Sequence, residues 1–288
     1  MAYFSGSRPV ELEWLISKTV SIYSMPVIYE RLDKAINNPR SSISDIVKIL
    51  TEDQGLTARI LKLANSPMFG CFSQVDSVAK AVAIIGTRQL RDLALPVMVM
   101  EIFKGIPEEM IDMRSFWRHS IACGVFARTI AAYCRKPNID TVFTAGVLHD
   151  IGRLVMCTNI PDIMNEMLVF AREEEEMLYR IERSRLGFTH AVVGGGLLSK
   201  WQIPASIVEP VACHHVPSKA KKFHLEVAIV HLADIMCKVF ELGTSGDRFI
   251  PPLDLVAWEL LDIPAGALAE IVEHAEPQLE EMFAILGD

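Results

Sequence analysis

The amino-acid sequence predicts an all-α fold. Three observations carry that reading. Apolar residues recur with the 3.6-residue helical period nearly throughout. Residues that cap helices punctuate the pattern at short intervals. Period-two alternation bounded by turn residues is scarce.

Taken in chain order, Ile43, Ile46, Val47 and Leu50 form one apolar stripe, and Leu56, Ile60, Leu61, Leu63 and Ala64 form a second. Ser44–Asp45 and Thr51–Asp53 are expected at the starts of these helices, where short oxygen-bearing side chains accept hydrogen bonds from unpaired N–H groups. Asn65-Ser66-Pro67 should end the second helix, because the residue before a proline avoids helical backbone. Asp76 is expected to cap the next helix, and Gly86-Thr87 to separate it from the one after. Pro107 and Pro137 mark element ends in mid-chain. Later helices are predicted near 114–135, 139–158, 162–185, 188–200, 205–215, 224–242 and 264–285. The run Glu173–Glu176 reads as a solvated helix face, with Glu176 and Arg180 paired at i,i+4. Near 104–113 the segment GIPEEMIDM interrupts two apolar helices. Two helical subdomains sharing an interface are therefore expected, residues 20–105 and residues 106–288. No internal repeat or low-complexity segment is seen.

With 288 residues, 51% of them hydrophobic and 22% charged, the chain can bury a sizeable core without staples. Its net charge of −8, from 28 basic and 36 acidic residues, gives no general attraction to nucleic acid or to anionic lipid. Lys219, Lys221 and Lys222 make the one obvious basic cluster and read as a solvated loop. The start, MAYFSGSRPVELEW, lacks the charged and apolar regions of an export signal, and no run of 18 apolar residues suits a membrane span. The six cysteines are widely spaced, without a CxxC pair, and read as reduced and mostly buried thiols. A cytoplasmic protein is the expectation.

The chemistry concentrates in the second half. Residues 145–153 read AGVLHDIGR, in which His149 and Asp150 are adjacent after an apolar run. Adjacent helical positions point about 100° apart, so both side chains can reach an ion lying between their directions. A buried His–Asp pair with no ligand is the competing account of so short a motif. His119 lies upstream in FWRHSIACGVFA, and His190 downstream in GFTHAVVGG. His214 and His215 form a pair in VACHHVP, and Asp234 lies in IVHLADIMC. Imidazoles with carboxylates suit Fe, Mn, Zn, Ni or Co. Seven such residues exceed the needs of one ion, which raises a two-metal site. His231, one turn before Asp234, reads as a satisfied core histidine or as a partner of a ligand. His224 and His274 read as surface or cap residues. Gly194-Gly195-Gly196 follows no strand, so it reads as a place where helices approach closely rather than as a phosphate loop. The thirteen methionines read as core filler.

The order H…HD…H…HH…D resembles that of the HD metal-dependent phosphohydrolases, in the longer form of the HD-GYP phosphodiesterases. The amino-terminal half narrows this. SISDIVKILTEDQGLTARILKLANSPMFG, then DSVAKAVAIIGTRQLRDLAL, resembles HDOD domains, and LHDIGRLVM and RLGFTHAVVGGGLLSKWQIP match the same family. The resemblance covers roughly residues 20–280, which leaves no length for a separate sensor or receiver domain. It implies an HD-type helical bundle with an N-terminal helical subdomain. It also implies that His119, His149, Asp150 and Asp234 hold one ion, and that Asp150, His190, His214 and His215 hold a second. The bridging Asp150 and the nearby Arg153 would carry any catalysis. One or two divalent transition metals are implied, with Fe or Mn favoured. The departures are specific. No Gly-Tyr-Pro follows His215, Arg153 stands where HD-GYP proteins have Lys, and Ser115 stands where some carry a metal-binding Glu.

Three functions compete. One is a bacterial signal-transduction output module with a protein partner, which keeps a metal site for structure or sensing. The second is an active metal-dependent phosphohydrolase or phosphodiesterase acting on a nucleotide or other phosphate ester. The third is a helical protein whose His/Asp set is coincidental. The sequence leaves the oligomeric state and any substrate open.

Overall fold

The computed structural model describes residues 10–66, 74–103, 106, 110–136, 138–247 and 249–286. Among these there is no strand, and α-helices of 7 to 21 residues follow one another, as the periodicity predicts. The first is α1 (Leu12–Ile22). The next five, α2 (Val27–Asn37), α3 (Ile43–Thr51), α4 (Gln54–Ala64), α5 (Val78–Ile85) and α6 (Thr87–Ile102), pack on one another and form the amino-terminal half. The capping differs in detail from the expectation. Ser42, not Ser44, caps α3, in a reciprocal capping box with Asp45. Asp53 caps α4, while Ser77 rather than Asp76 caps α5, Asp76 pairing with Lys80 instead. Ile46 and Leu50 are buried as the stripe requires, but Ile43 is 57% exposed. Asn65 ends α4 by bonding Leu61 O and clasping both backbone groups of Val75. Gly86 lies at φ 93°, a left-handed conformation that separates α5 from α6. Pro67, Cys71, Pro107 and Pro137, and most of the 104–109 interruption, lie outside the described residues.

The second half is built on α7 (Met113–Tyr133), packed along α8 (Ile139–Leu148). Then come α9 (Ile151–Asn159), α10 (Pro161–Glu173), α11 (Leu178–Leu186), α12 (His190–Lys200), α13 (Ala205–Cys213), a 3-10 turn (Pro217–Lys219), α14 (His224–Val239), α15 (Leu255–Leu261) and α16 (Ala267–Leu286). Two of the predicted helices are split. The 139–158 helix breaks at His149–Asp150, and the 162–185 helix breaks at 174–177. The acidic run is therefore mostly a turn, across which Glu176 and Arg180 still meet at 3.3 Å. Helix α15 has no counterpart in the sequence prediction. Lys219, Lys221 and Lys222 are exposed, as a solvated loop would have them.

Helix α6 joins the halves. It is buried from Leu90 to Val99 and packs on α8. Thr144 donates to Asp92 O and Thr141 to Asp92 Oδ2, while Arg91 ties Asp92 to Asp33 of α2. Helix α1 packs on α9 and α12 of the second half, and α4 touches α16.

Candidate metal centre

The break between α8 and α9 sets the geometry. His149 C-caps α8 and Asp150 is the residue that opens α9, so their side chains enter the core side by side. His119 enters from the middle of α7, His190 from the first position of α12, His214 from the end of α13, and Asp234 from α14. The helices can converge this closely because glycines line the crossing. A Cβ at Gly152 would stand 1.9 Å from the His190 carbonyl oxygen, and one at Gly195 would stand 2.5 Å from the Ala212 Cβ. The Gly194–Gly196 run thus lies inside α12 as a close-packing surface.

All seven predicted residues meet at one centre. His119 Nε2 and His149 Nε2 lie 3.7 and 3.3 Å from Asp150 Oδ2, and 3.2 and 3.5 Å from Asp234 Oδ1. On the other side, His190 Nε2 and His214 Nε2 lie 2.8 and 3.8 Å from Asp150 Oδ1, and His215 Nε2 is 3.1 Å from His190 Nε2. One donor atom each from Asp150, His190, His214 and His215 fall within 4.8 Å of one another, and so do those of His119, His149 and Asp150. Asp150 thus presents one oxygen to each group.

The ring nitrogens turned away from the centre are mostly tied down. His149 Nδ1 lies 2.7 Å from Gly146 O, and His214 Nδ1 lies 2.8 Å from Val211 O. His190 Nδ1 meets Glu182 Oε2 at 2.7 Å, and the same oxygen accepts the His190 backbone N–H. Each bond orients a ring and leaves its Nε2 lone pair facing inward, the arrangement ligating histidines have. His231 serves this layer as well. Its Nε2 accepts the Asp254 N–H, so Nδ1 donates, to His214 O at 2.7 Å.

Most of the inward atoms lack a hydrogen-bond partner. Both Asp150 oxygens, Asp234 Oδ1, His119 Nε2, His149 Nε2 and His214 Nε2 are buried without a hydrogen-bond partner. Buried orphans of this kind are costly singly, and here they converge. Burial pushes the Asp150 carboxyl up, but the Arg153 guanidinium and the His149 and His190 rings outweigh it and hold it well below the ordinary carboxylate range. Burial acts the same way on Asp234, where the buried Lys238 ammonium, 2.9 Å away, and the His119 and His149 rings pull it well below. Burial and neighbouring rings hold His214 and His215 well below the usual histidine value, so both stay neutral. At His149 and His190 burial is outweighed by Asp150 and Glu182, which hold both rings above the usual histidine value, so a divalent ion would take the place of protons there. Anionic carboxylates and imidazoles are a donor set for a divalent transition ion, and the residues present fit one.

Arg153 is fully buried beside this centre. Its Nε is 3.4 Å from Asp150 Oδ1, its Nη2 is 3.6 Å from Asp247 Oδ2, and Nη1 donates to Ser245 O at 3.0 Å. It holds the 243–247 loop over the site. That loop is anchored at its other end on Ser115, whose backbone oxygen and hydroxyl both accept the Thr244 N–H. Ser115, at the position where some HD-GYP proteins carry a metal-binding Glu, is therefore a loop anchor here. Glu182, Lys238, Ser245 and Asp247 were not foreseen.

The HDOD family model matches residues 22–217. The chain belongs to the HDOD family. Solved structures agree in fold. An HDOD domain protein of unknown function from Geobacter sulfurreducens is 24% identical, covers 96% of this chain and 97% of its own, and superposes with a TM-score of 0.73. A provisionally assigned phosphohydrolase from Shewanella amazonensis is 21% identical over 94% and 98% of the two chains, with a TM-score of 0.75. A curated Treponema pallidum protein, uncharacterized, is 23% identical over 229 residues, and this HDOD chain spans 44% of its length. The described residues of this HDOD protein hold helices and no strand, and no helix among them is long and apolar enough to cross a membrane.

Proposed function

We propose that this HDOD protein is a bacterial, cytoplasmic signalling-output module whose His/Asp centre holds metal for structure or sensing. In this reading residues 20–105 carry the surface for a signalling partner. The observation that carries it is burial. His119, His149, His190 and His214 are 0% exposed, Asp150 and Asp234 1%, and Arg153 0%. Only His215 is partly exposed, and the Tyr179 ring stacks on it at 4.3 Å. A centre so enclosed is suited to reporting occupancy through the helices that bear it rather than to turning over a bulky ester. His119, His149, Asp150 and Asp234 would hold one ion and Asp150, His190, His214 and His215 a second, with Fe or Mn favoured by the family resemblance.

The described residues of 21–103 include no histidine or cysteine, yet Asp92 bonds to α8, the helix that ends at His149. Coupling needs metal to bind two states of that interface differently. The test is elemental analysis of protein purified without chelator, then hydrogen exchange with and without metal. The reading expects one or two transition ions per chain and altered exchange within residues 20–105. Less than roughly a tenth of an equivalent after anaerobic reconstitution sinks the metal assignment. Unchanged exchange in residues 20–105 sinks the output assignment.

A second reading, a phosphohydrolase, is favoured by one feature, the single carboxylate presented to two groups of imidazoles. The ions would supply charge stabilisation to a phosphate ester, and Asp150 and Arg153 would be the residues that carry catalysis. Hydrolysis of nucleotide or model phosphodiesters by metal-loaded protein, lost in Asp150→Ala, would establish this reading over the first.

A further inference from the structure

Helices α14 and α16 both pack on α7 and both run antiparallel to it. For α14, Lys136 at the end of α7 pairs with Glu226, while Thr244 just past α14 reaches back to Ser115. For α16, Arg118 near the start of α7 lies over Phe283, while Ile271 faces Thr129 across a small cleft. The two helices therefore run side by side in the same direction. Between them, closed at one side by α15, lies a groove of about 690 Å³ lined wholly by apolar residues. Phe240, stacked on Phe126 of α7, lines it together with Val239, Leu253 and Trp258, and the lining residues Leu232 and Met236 are buried. Val239 is 52% exposed and Phe240 47%, and on α15 beside them Leu255 and Val256 are each 70% exposed. Such a surface is wider than the scattered apolar residues of an ordinary exterior.

The surroundings of the groove are acidic. Residues 249–286 contain eight Asp and Glu and no Lys or Arg. Glu276 lies one turn past Val272 on the same side of α16, and Glu273 flanks it one turn past Ala269. Glu259 follows Trp258 and Glu241 follows Phe240, both exposed. On α14 the nearby cation, Lys238, is buried on Asp234.

We propose that this groove docks a basic amphipathic helix of a partner protein. Two walls of parallel helices leave a seat of helical shape, and an apolar floor with acidic rims complements a helix with apolar residues at i, i+3, i+4 and i+7 between lysines or arginines. A second copy of the chain would bring acid against acid, an anionic membrane would be repelled, and a fatty acid would place its carboxylate among the glutamates. The groove residues lie on the side of α14 opposite Asp234 and Lys238, so the occupant and the metal centre share one helix.

The test titrates the full chain with a labelled peptide of about 18 residues built of leucine and lysine in that pattern, followed by fluorescence anisotropy and by Trp258 emission. Micromolar binding that weakens roughly 10-fold between low and physiological salt is expected. Val239→Asp should weaken it roughly 10-fold or more by spoiling the apolar seat, and Glu273→Lys with Glu276→Lys by a similar factor, with circular dichroism unchanged. No binding, equal binding of the same peptide with glutamate for lysine, or indifference to all three substitutions would overturn the proposal. So would palmitate binding in the groove, or self-association of the chain that Val239→Asp abolishes. The outcome is independent of metal content, so it stands or falls apart from the proposed function.

Discussion

Replacing Gly152 by alanine should loosen the metal centre without touching any of its side chains. The new Cβ would stand 1.9 Å from His190 O and 2.7 Å from Gly194 N, backbone atoms that cannot rotate away. Since Cβ contacts under 3.0 Å essentially never occur, α9 and α12 must part by about 1 Å or more. Asp150 precedes Gly152 by two residues, and its Oδ1 is 2.8 Å from His190 Nε2, so that separation falls between the two groups. Ligand distances tolerate errors of about 0.2 Å. Overpacking of this kind costs about 1–3 kcal/mol, which lowers Tm by roughly 2–8 °C in a chain of this size. Metal bound by Asp150 and His190 should weaken by roughly 10-fold or more. The control is Gly187→Ala. Its φ of +80° strains any side chain, but nothing lies within 4 Å of the new Cβ, so it should cost about 1–2 kcal/mol and leave metal affinity alone. Thermal unfolding and isothermal titration with Mn(II) measure both. If Gly152→Ala binds metal as the parent does, and melts no lower than Gly187→Ala, the close approach of α9 and α12 does not set the site.

Further outcomes follow from the same geometry. Asp150→Ala should remove more metal than any other single change and His190→Ala should empty mainly one position, so equal metal contents by elemental analysis would refute the shared carboxylate. Glu182→Gln removes the charge from the pair that orients His190 and should weaken that position by roughly 10- to 100-fold, while Arg180→Gln, one of whose contacts is the exposed Glu176, should not. Cys123, Cys157 and Cys237 are buried, and burial pushes the Cys157 thiol up to about 12, so it holds its proton throughout the neutral range. Iodoacetamide at pH 8 should therefore label Cys134 and Cys213 in the native chain and the three buried cysteines only after unfolding. Early labelling of Cys157, read by peptide mass spectrometry, would contradict its placement.

The sequence made the helices and the seven convergent residues legible because both rest on local or ordered signals. Apolar period three to four marks each packed face, and the histidine and aspartate spacing survives any detail of loop geometry. What stayed hidden depends on tertiary contact. Lys238 stands four residues after Asp234, a spacing that could have flagged it, and Glu182 shares a buried stripe with Leu178 and Ile181, where an acid needs a partner. Ser245 and Asp247 carry no such mark, since only the fold of a loop across α7 brings them to Arg153. Helix α15 was missed because Leu255, Val256 and Leu260 face outward and blur any one-sided stripe. The split at His149–Asp150 was invisible because both fragments read as helix, although it is the split that lets the pair point the same way.

The stacking of Tyr179 on His215 bears on time as well as on shape. With every other donor at 1% exposure or less, an ion in this centre would enter and leave only when α11 or the 243–247 loop opens. Exchange would then follow the rate of local unfolding rather than the concentration of free metal. The occupancy of a chain would lag behind changes in the ions around it, and a chelator added later would strip it at the rate of that local opening. A centre of this kind averages the supply of metal over the time between openings.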